Sequence, residues 1–64
     1  MNLKNIKIIK KSISTSLCTG WFQVIVKGYI VANVQWDFIS KNIIFIDNKN
    51  IDKQQVKKEI ILAI

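Results

Sequence analysis

The chain has 64 residues, ten of them Lys and four acidic, with no Arg and no His, and its formal net charge is +6. This length allows a single small domain over residues 1–64, and an apolar fraction of 50% is typical of a globular chain rather than a disordered one. Because the commonest general base is absent and Cys18 is the only thiol, we expect no enzyme, no intrachain disulfide, no metal site and no cofactor.

Residues 1–13 form a basic leading segment that could be a strand or a helix. The spacing of Leu3, Ile6 and Ile9 fits a helix, whereas the many β-branched residues favour a strand. We predict a strand with a bulge at Ile8–Ile9 and keep a basic amphipathic helix as the alternative. No aromatic anchor lies on such a helix, which disfavours a membrane surface as the partner. The lysines of the segment are Lys4, Lys7, Lys10 and Lys11.

These lysines also interrupt the apolar run that a secretory signal requires. The single free Cys and the absence of a disulfide framework fit a reducing compartment. We therefore expect a cytoplasmic location.

Residues 21–47 are rich in β-branched and aromatic residues and predict an antiparallel β-meander. The first interruption is Lys27–Gly28. A three-residue loop at positions 26–28 pairs Phe22 with Ala32 and collects apolar residues on one face. That predicted core face consists of Phe22, Val24, Ile30, Ala32, Val34 and Trp36.

The same type of loop at Ser40-Lys41-Asn42, with Asn42 in the left-handed position, pairs Trp36 with Ile46. The core face then extends to Phe38, Ile44 and Ile46, while Ile39, Ile43 and Phe45 lie on the opposite, outer face. Both turns agree on one core face, and the predicted strands run over about 21–25, 29–39 and 43–47.

A turn at 48–50 is followed by a helix start signal. Asp52 and Gln55 predict an N-cap with a capping box, and the helix is expected over 52–64. Val56, Ile60, Ala63 and Ile64 share one helical face. The tail over 60–64 is apolar almost all round, so a strand or a helix end buried against a partner are alternatives. The fold class is α+β: a small antiparallel β-meander of three to four strands with a C-terminal helix packed on one face.

The outer face carries three rings and several amides, and this points to function. Exposed rings on a basic sheet are typical of proteins that bind single-stranded nucleic acid, because bases stack on the rings and Lys neutralises the phosphates. The main hypothesis is therefore a non-enzymatic protein that binds nucleic acid without sequence specificity. The candidate residues are Lys4, Lys7, Lys10, Lys11 and Lys27 for phosphates, and Trp21 and Tyr29 for stacking.

The alternative is a protein-interaction module: a small inhibitor, an immunity-type factor or a self-associating subunit that forms a homo-oligomer. It would bury the outer face or the apolar tail against the partner. The candidate residues of this interface are Ile39, Phe45, Ile61 and Leu62. A coding bias towards A and T would raise Lys without any functional pressure, so the apolar outer face is a stronger indication of binding than the charge.

Overall fold

A computed structural model of the chain describes residues 5–64. Four strands and one helix follow one another: β1 (Ile6–Ser14), β2 (Thr19–Val26), β3 (Tyr29–Asp37), β4 (Asn42–Ile46) and α1 (Lys53–Ala63). The strands form one antiparallel sheet in the order β1-β2-β3-β4. Helix α1 packs across one face of the sheet and contacts both edge strands. The predicted α+β meander with a C-terminal helix is confirmed.

The N-terminal segment is a strand, and the helical alternative is wrong. Strand β1 pairs with β2 along its length, and Ile6 and Ile8 pack against the core. The bulge lies at Lys11, between the pairs of Lys10 and Ser12 with β2, and not at Ile8–Ile9. Because β1 extends the sheet at its edge, it does not cover the face opposite α1.

The turn between β2 and β3 has two residues instead of the predicted three. Lys27 and Gly28 have φ angles of 53° and 83°, and Val26 pairs with Tyr29. Two consecutive left-handed residues match the right-handed twist of the flanking strands. The three-residue loop is therefore wrong, because Lys27 adopts the left-handed conformation together with Gly28.

A bulge next to this turn restores the alternation of side chains. Val31 is the extra residue of β3, so Phe22 pairs with Val34 and not with Ala32 as predicted. The two-residue turn shifts the pairing by one residue relative to the prediction, and the bulge shifts it by one more. Beyond the bulge, the side chains therefore face the same sides of the sheet as predicted. Ile30 lies between them and is 55% exposed, so its predicted place in the core is wrong. The other five members of the predicted face, Phe22, Val24, Ala32, Val34 and Trp36, are buried.

The loop between β3 and β4 has four residues, 38–41, and the predicted loop at 40–42 is wrong. Lys41 has the left-handed φ of 58°, and its backbone N–H donates to the carbonyl oxygen of Asp37 at 2.9 Å. The Asp37 carboxylate stabilises this loop, since Oδ1 accepts from the Ile39 N–H and Oδ2 from the Ser40 hydroxyl, each at 2.9 Å.

A second bulge, at Ile44, follows this loop. Ile46 pairs with Val34 rather than with Trp36. Ile44, predicted in the core, is 53% exposed, and Ile43, predicted on the outer face, packs against the core. Ile46 itself is buried, as predicted.

Helix α1 starts at the predicted N-cap. The Asp52 carboxylate accepts from the Gln54 backbone N–H at 2.9 Å. Val56 and Ile60 are fully buried, whereas Ala63 and Ile64 are exposed, so only half of the predicted buried face is correct. The tail is helical to Ala63, and the strand alternative is wrong. Within residues 5–64 no helix is long and apolar enough to cross a membrane.

Candidate binding surface on the outer sheet face

No helix or strand of residues 5–64 covers the sheet face opposite α1, and we call this face the outer face. Alternation along β2 puts Trp21, Gln23 and Ile25 on it, because their neighbours Phe22 and Val24 are buried under α1. Cross-strand pairing extends the face in both directions. The outer face consists of Lys7, Ile9, Trp21, Gln23, Ile25, Ile30, Asn33, Gln35, Phe45 and Asp47.

Two aromatic rings lie together in the middle of the outer face. Trp21 and Phe45 pair with Gln35 from its two sides, and their ring centroids are 6.1 Å apart at an interplanar angle of 66°. This edge-to-face geometry is favourable for aromatic pairs and fixes each ring against the other. Trp21 is 39% and Phe45 49% exposed. The pair therefore forms an exposed aromatic surface on the outer face.

The structure does not bring Tyr29 to this pair. Tyr29 pairs with Val26 and so lies on the α1 side of the sheet, at the β2–β3 turn. It is six positions along β3 from Gln35, a distance of about 20 Å. The ring beside Trp21 is Phe45, a residue predicted for the alternative interface. Their shared neighbour Gln35 would have revealed the pair, given the correct register of β4.

A row of polar side chains crosses the outer face beside the rings. The Asp47 carboxylate accepts from the Asn33 backbone N–H at 2.8 Å and from Asn33 Nδ2 at 2.9 Å. Gln23 Nε2 donates to Asn33 Oδ1 at 3.4 Å. The Asn33 side-chain amide, and then its backbone N–H, hold the pKa of Asp47 below its ordinary value. We call Gln23, Asn33 and Asp47 the polar row.

The predicted lysines are distributed over different parts of the surface. Lys7 pairs with Ile25 and belongs to the outer face, and Lys11 is the bulge residue of β1 beside Trp21. Lys10 pairs with Phe22 on the α1 side, where it borders a groove of about 390 Å³ at the end of the helix. Lys27 lies in the β2–β3 turn. Lys4 is outside the described residues.

The four residues of the alternative interface lie in three places. Ile39 is 76% exposed in the β3–β4 loop, and Phe45 is on the outer face. Ile61 and Leu62 are exposed on α1, at 45% and 71%. They therefore do not form one continuous patch, and only Phe45 is part of the surface that carries Trp21.

Cys18 has a local structural role. It is half-buried in the β1–β2 loop with a φ of 55°, and its thiol donates to the Thr15 carbonyl oxygen at 3.6 Å. Its own carbonyl oxygen accepts from the Phe38 N–H at 3.0 Å, which ties the two four-residue loops together. Among residues 5–64, no group of three or more Cys, Asp or Glu side chains is placed to hold a metal ion.

Comparison with models of protein families, with curated proteins and with solved structures finds no match. The assignment of function therefore depends on the geometry of the outer face.

Proposed function

We propose that the protein binds single-stranded nucleic acid on its outer face as a non-enzymatic binding protein. The observation that carries this proposal is the half-exposed Trp21–Phe45 pair on the outer face, beside the lysines of β1. Bases stack on aromatic rings regardless of their identity, and Lys neutralises the phosphates as a point charge. The affinity would therefore depend little on the base sequence of the nucleic acid.

The arrangement of the strands suggests how the ligand lies. Lys7 and Lys11 are on the edge strand β1, whereas the rings are on β2 and β4. Neighbouring strands are about 4.8 Å apart, so β4 is about 14 Å from β1. A sugar–phosphate backbone along β1 would place its bases over β2 and β3, where Trp21 lies.

Fluorescence titration with a single-stranded oligonucleotide tests the proposal. The protein has two Trp residues, and Trp36 is fully buried, so a stacked base would quench mainly Trp21. We expect quenching at low salt that moderate salt reverses, and we expect Trp21→Ala to abolish it. Tyr29→Ala is the matched control, because its ring lies on the other side of the sheet, and it should keep the quenching. An unquenched wild-type protein at low salt would rule the proposal out.

A protein partner is the second candidate, and the aliphatic part of the outer face favours it. Ile9, Ile25 and Ile30 surround Gln23 and Lys7, and Ile30 is 55% exposed. Aliphatic side chains do not stack with bases, but a protein surface would bury them. Sedimentation over a range of concentrations tests the self-associating version. A dimer that Ile30→Ser dissociates, together with no quenching by oligonucleotides, would favour this candidate over the first.

A further inference from the structure

We propose that the polar row orients the Gln23 amide to accept a hydrogen bond from the amino group of a base stacked on Trp21. The site would then prefer bases that carry an exocyclic amino group, and cytosine over thymine in particular. This inference rests on the proposed function. In it Asp47 is a positioning residue, because it acts through Asn33 and Gln23 without touching the base.

The first step is the orientation of the Asn33 side chain by the Asp47 carboxylate. An ionised carboxylate can only accept hydrogen bonds, and its two oxygens receive the backbone N–H and Nδ2 of Asn33 at 2.8 Å and 2.9 Å. The Asp47 backbone N–H donates to the Asn33 carbonyl oxygen at 3.2 Å, which holds the two residues side by side. The amide nitrogen of Asn33 must therefore point towards β4.

The second step is the hydrogen bond by which the Asn33 side chain on β3 orients the Gln23 amide on β2. With Nδ2 directed at Asp47, the Oδ1 atom of Asn33 faces Gln23 and accepts from its Nε2 at 3.4 Å. The Gln23 amide is then fixed as well, with its nitrogen towards β3 and its oxygen turned away from Asn33. The other cross-strand neighbour of Gln23 is Ile9, whose aliphatic side chain has no donor for that oxygen.

The third step is the distance to the stacking surface. Trp21 and Gln23 are two residues apart on the same face, about 7 Å along β2, so a base stacked on Trp21 would extend its edge towards Gln23. The amino group of cytosine donates at ring position 4, where thymine has a carbonyl oxygen. The Gln23 oxygen accepts from the first and is left unpaired opposite the second.

Binding of labelled oligo(dC) and oligo(dT) of equal length, measured by fluorescence anisotropy at one salt concentration, tests the preference. Both bases are pyrimidines of similar size, and we expect dC to bind roughly three- to tenfold more tightly, the value of one hydrogen bond. Gln23→Leu should bring this ratio close to one, because dC loses a hydrogen bond that dT does not make. Gln54→Leu is the matched control, because it makes the same amide change at an exposed position of helix α1, and it should leave the ratio unchanged.

Asp47→Asn tests the positioning role, because an amide both donates and accepts and no longer fixes the orientation of Asn33. We expect the ratio of dC to dT affinity to fall in this variant as well. A loss of affinity for both oligonucleotides at an unchanged ratio would mean that Asp47 is only a structural tie, and would overturn its role. Equal wild-type affinities would overturn the inference and leave the proposed function intact, whereas no binding of either would overturn the proposed function.

Discussion

At the scale of single residues, two carboxylates in this small protein each accept two hydrogen bonds at the ends of strands. Asp37 accepts from Ile39 and Ser40, and Asp47 accepts twice from Asn33. The Ile39 backbone N–H, followed by the Ser40 hydroxyl, lowers the pKa of Asp37, and the Asn33 amide lowers the pKa of Asp47. Both groups therefore favour the folded state only when they are ionised.

This predicts a loss of stability in acid. Since both folded pKa values are below those of the unfolded chain, the contribution is fully present above about pH 4 and is lost as the pH falls through the lowered values. Thermal unfolding followed by circular dichroism should give a Tm that decreases below about pH 4. Asp47→Asn should make this decrease shallower, and the double change with Asp37→Asn shallower still. An unaltered pH profile in the double variant would contradict the prediction.

Gly20 permits a close approach of two side chains. A Cβ at this position would be 2.8 Å from Ile13 Cδ1 and 2.9 Å from Phe38 Cε2. The half-exposed Ile13 side chain can move, but the Phe38 ring packs against Phe22 at a centroid distance of 6.3 Å. We expect Gly20→Ala to lower the free energy of unfolding by about 1–2 kcal/mol in urea titrations.

Gly28 provides the comparison, because the space around its Cα is open and its φ is +83°. Gly28→Asn should change the stability little, since Asn tolerates the left-handed conformation. A larger loss for Gly28→Asn than for Gly20→Ala would show that the steric contact at Gly20 is not the dominant effect.

At the scale of elements, the sequence predicted the type and order of strands and helix better than the way they are joined. Alternation over Phe22, Val24, Val34 and Trp36 was strong enough to identify the core face. Both turns were missed because a two-residue turn with a bulge, or a four-residue loop with a bulge, keeps the same alternation beyond the turn as a three-residue loop. The residues next to the turns, Ile30 and Ile44, therefore had the wrong burial.

The candidate site was predicted less well, for the same reason. Trp21 was identified because it alternates with Phe22, whereas its neighbour Phe45 depends on the register of β4, which the bulge at Ile44 shifts. The polar row depends on long-range pairing between Asn33 and Asp47, which no local pattern reveals.

Helix α1 contributes stability through two buried side chains. Val56 and Ile60 are fully buried in the core, while the neighbouring Ile61 is 45% exposed. Ile60→Ala removes a buried side chain and leaves a cavity, so we expect it to lower the free energy of unfolding by about 2–5 kcal/mol. Ile61→Ala is the matched control and should lower it by about 0.5 kcal/mol or less. Equal losses in chemical denaturation would mean that the helix packs in a different rotation.

At the scale of the whole molecule, the charge of +6 is spread widely, and only part of it lies beside the outer face. Lys7 and Lys11 are on β1 next to Ile25 and Trp21, whereas Lys58 is on α1. Specific phosphate contacts and a general positive charge therefore predict different responses to mutation.

Salt titrations separate the two. For single strands the slope of log K against log salt is about −0.7 per phosphate neutralised, so contacts from Lys7 and Lys11 predict a contribution of about −1.4. Lys7→Ala and Lys11→Ala should each reduce the magnitude of the slope by about 0.7. Lys58→Ala removes the same charge from α1 and should leave the slope unchanged. A similar reduction in all three variants would indicate binding by net charge alone.

Strand β1 is an edge of the sheet, and within residues 5–64 one of its sides pairs with no other strand. This has a consequence for assembly. Such an edge can accept a strand from another copy of the protein. Lysines on the edge oppose this by charge repulsion, and a bulge opposes it because its irregular backbone interrupts the row of hydrogen-bonding groups. Lys7, Lys10 and the bulge residue Lys11 all lie on β1. A polyanion that neutralises them would remove the electrostatic barrier while concentrating copies along its length. Edge-to-edge pairing of neighbouring copies would then be opposed by the bulge alone.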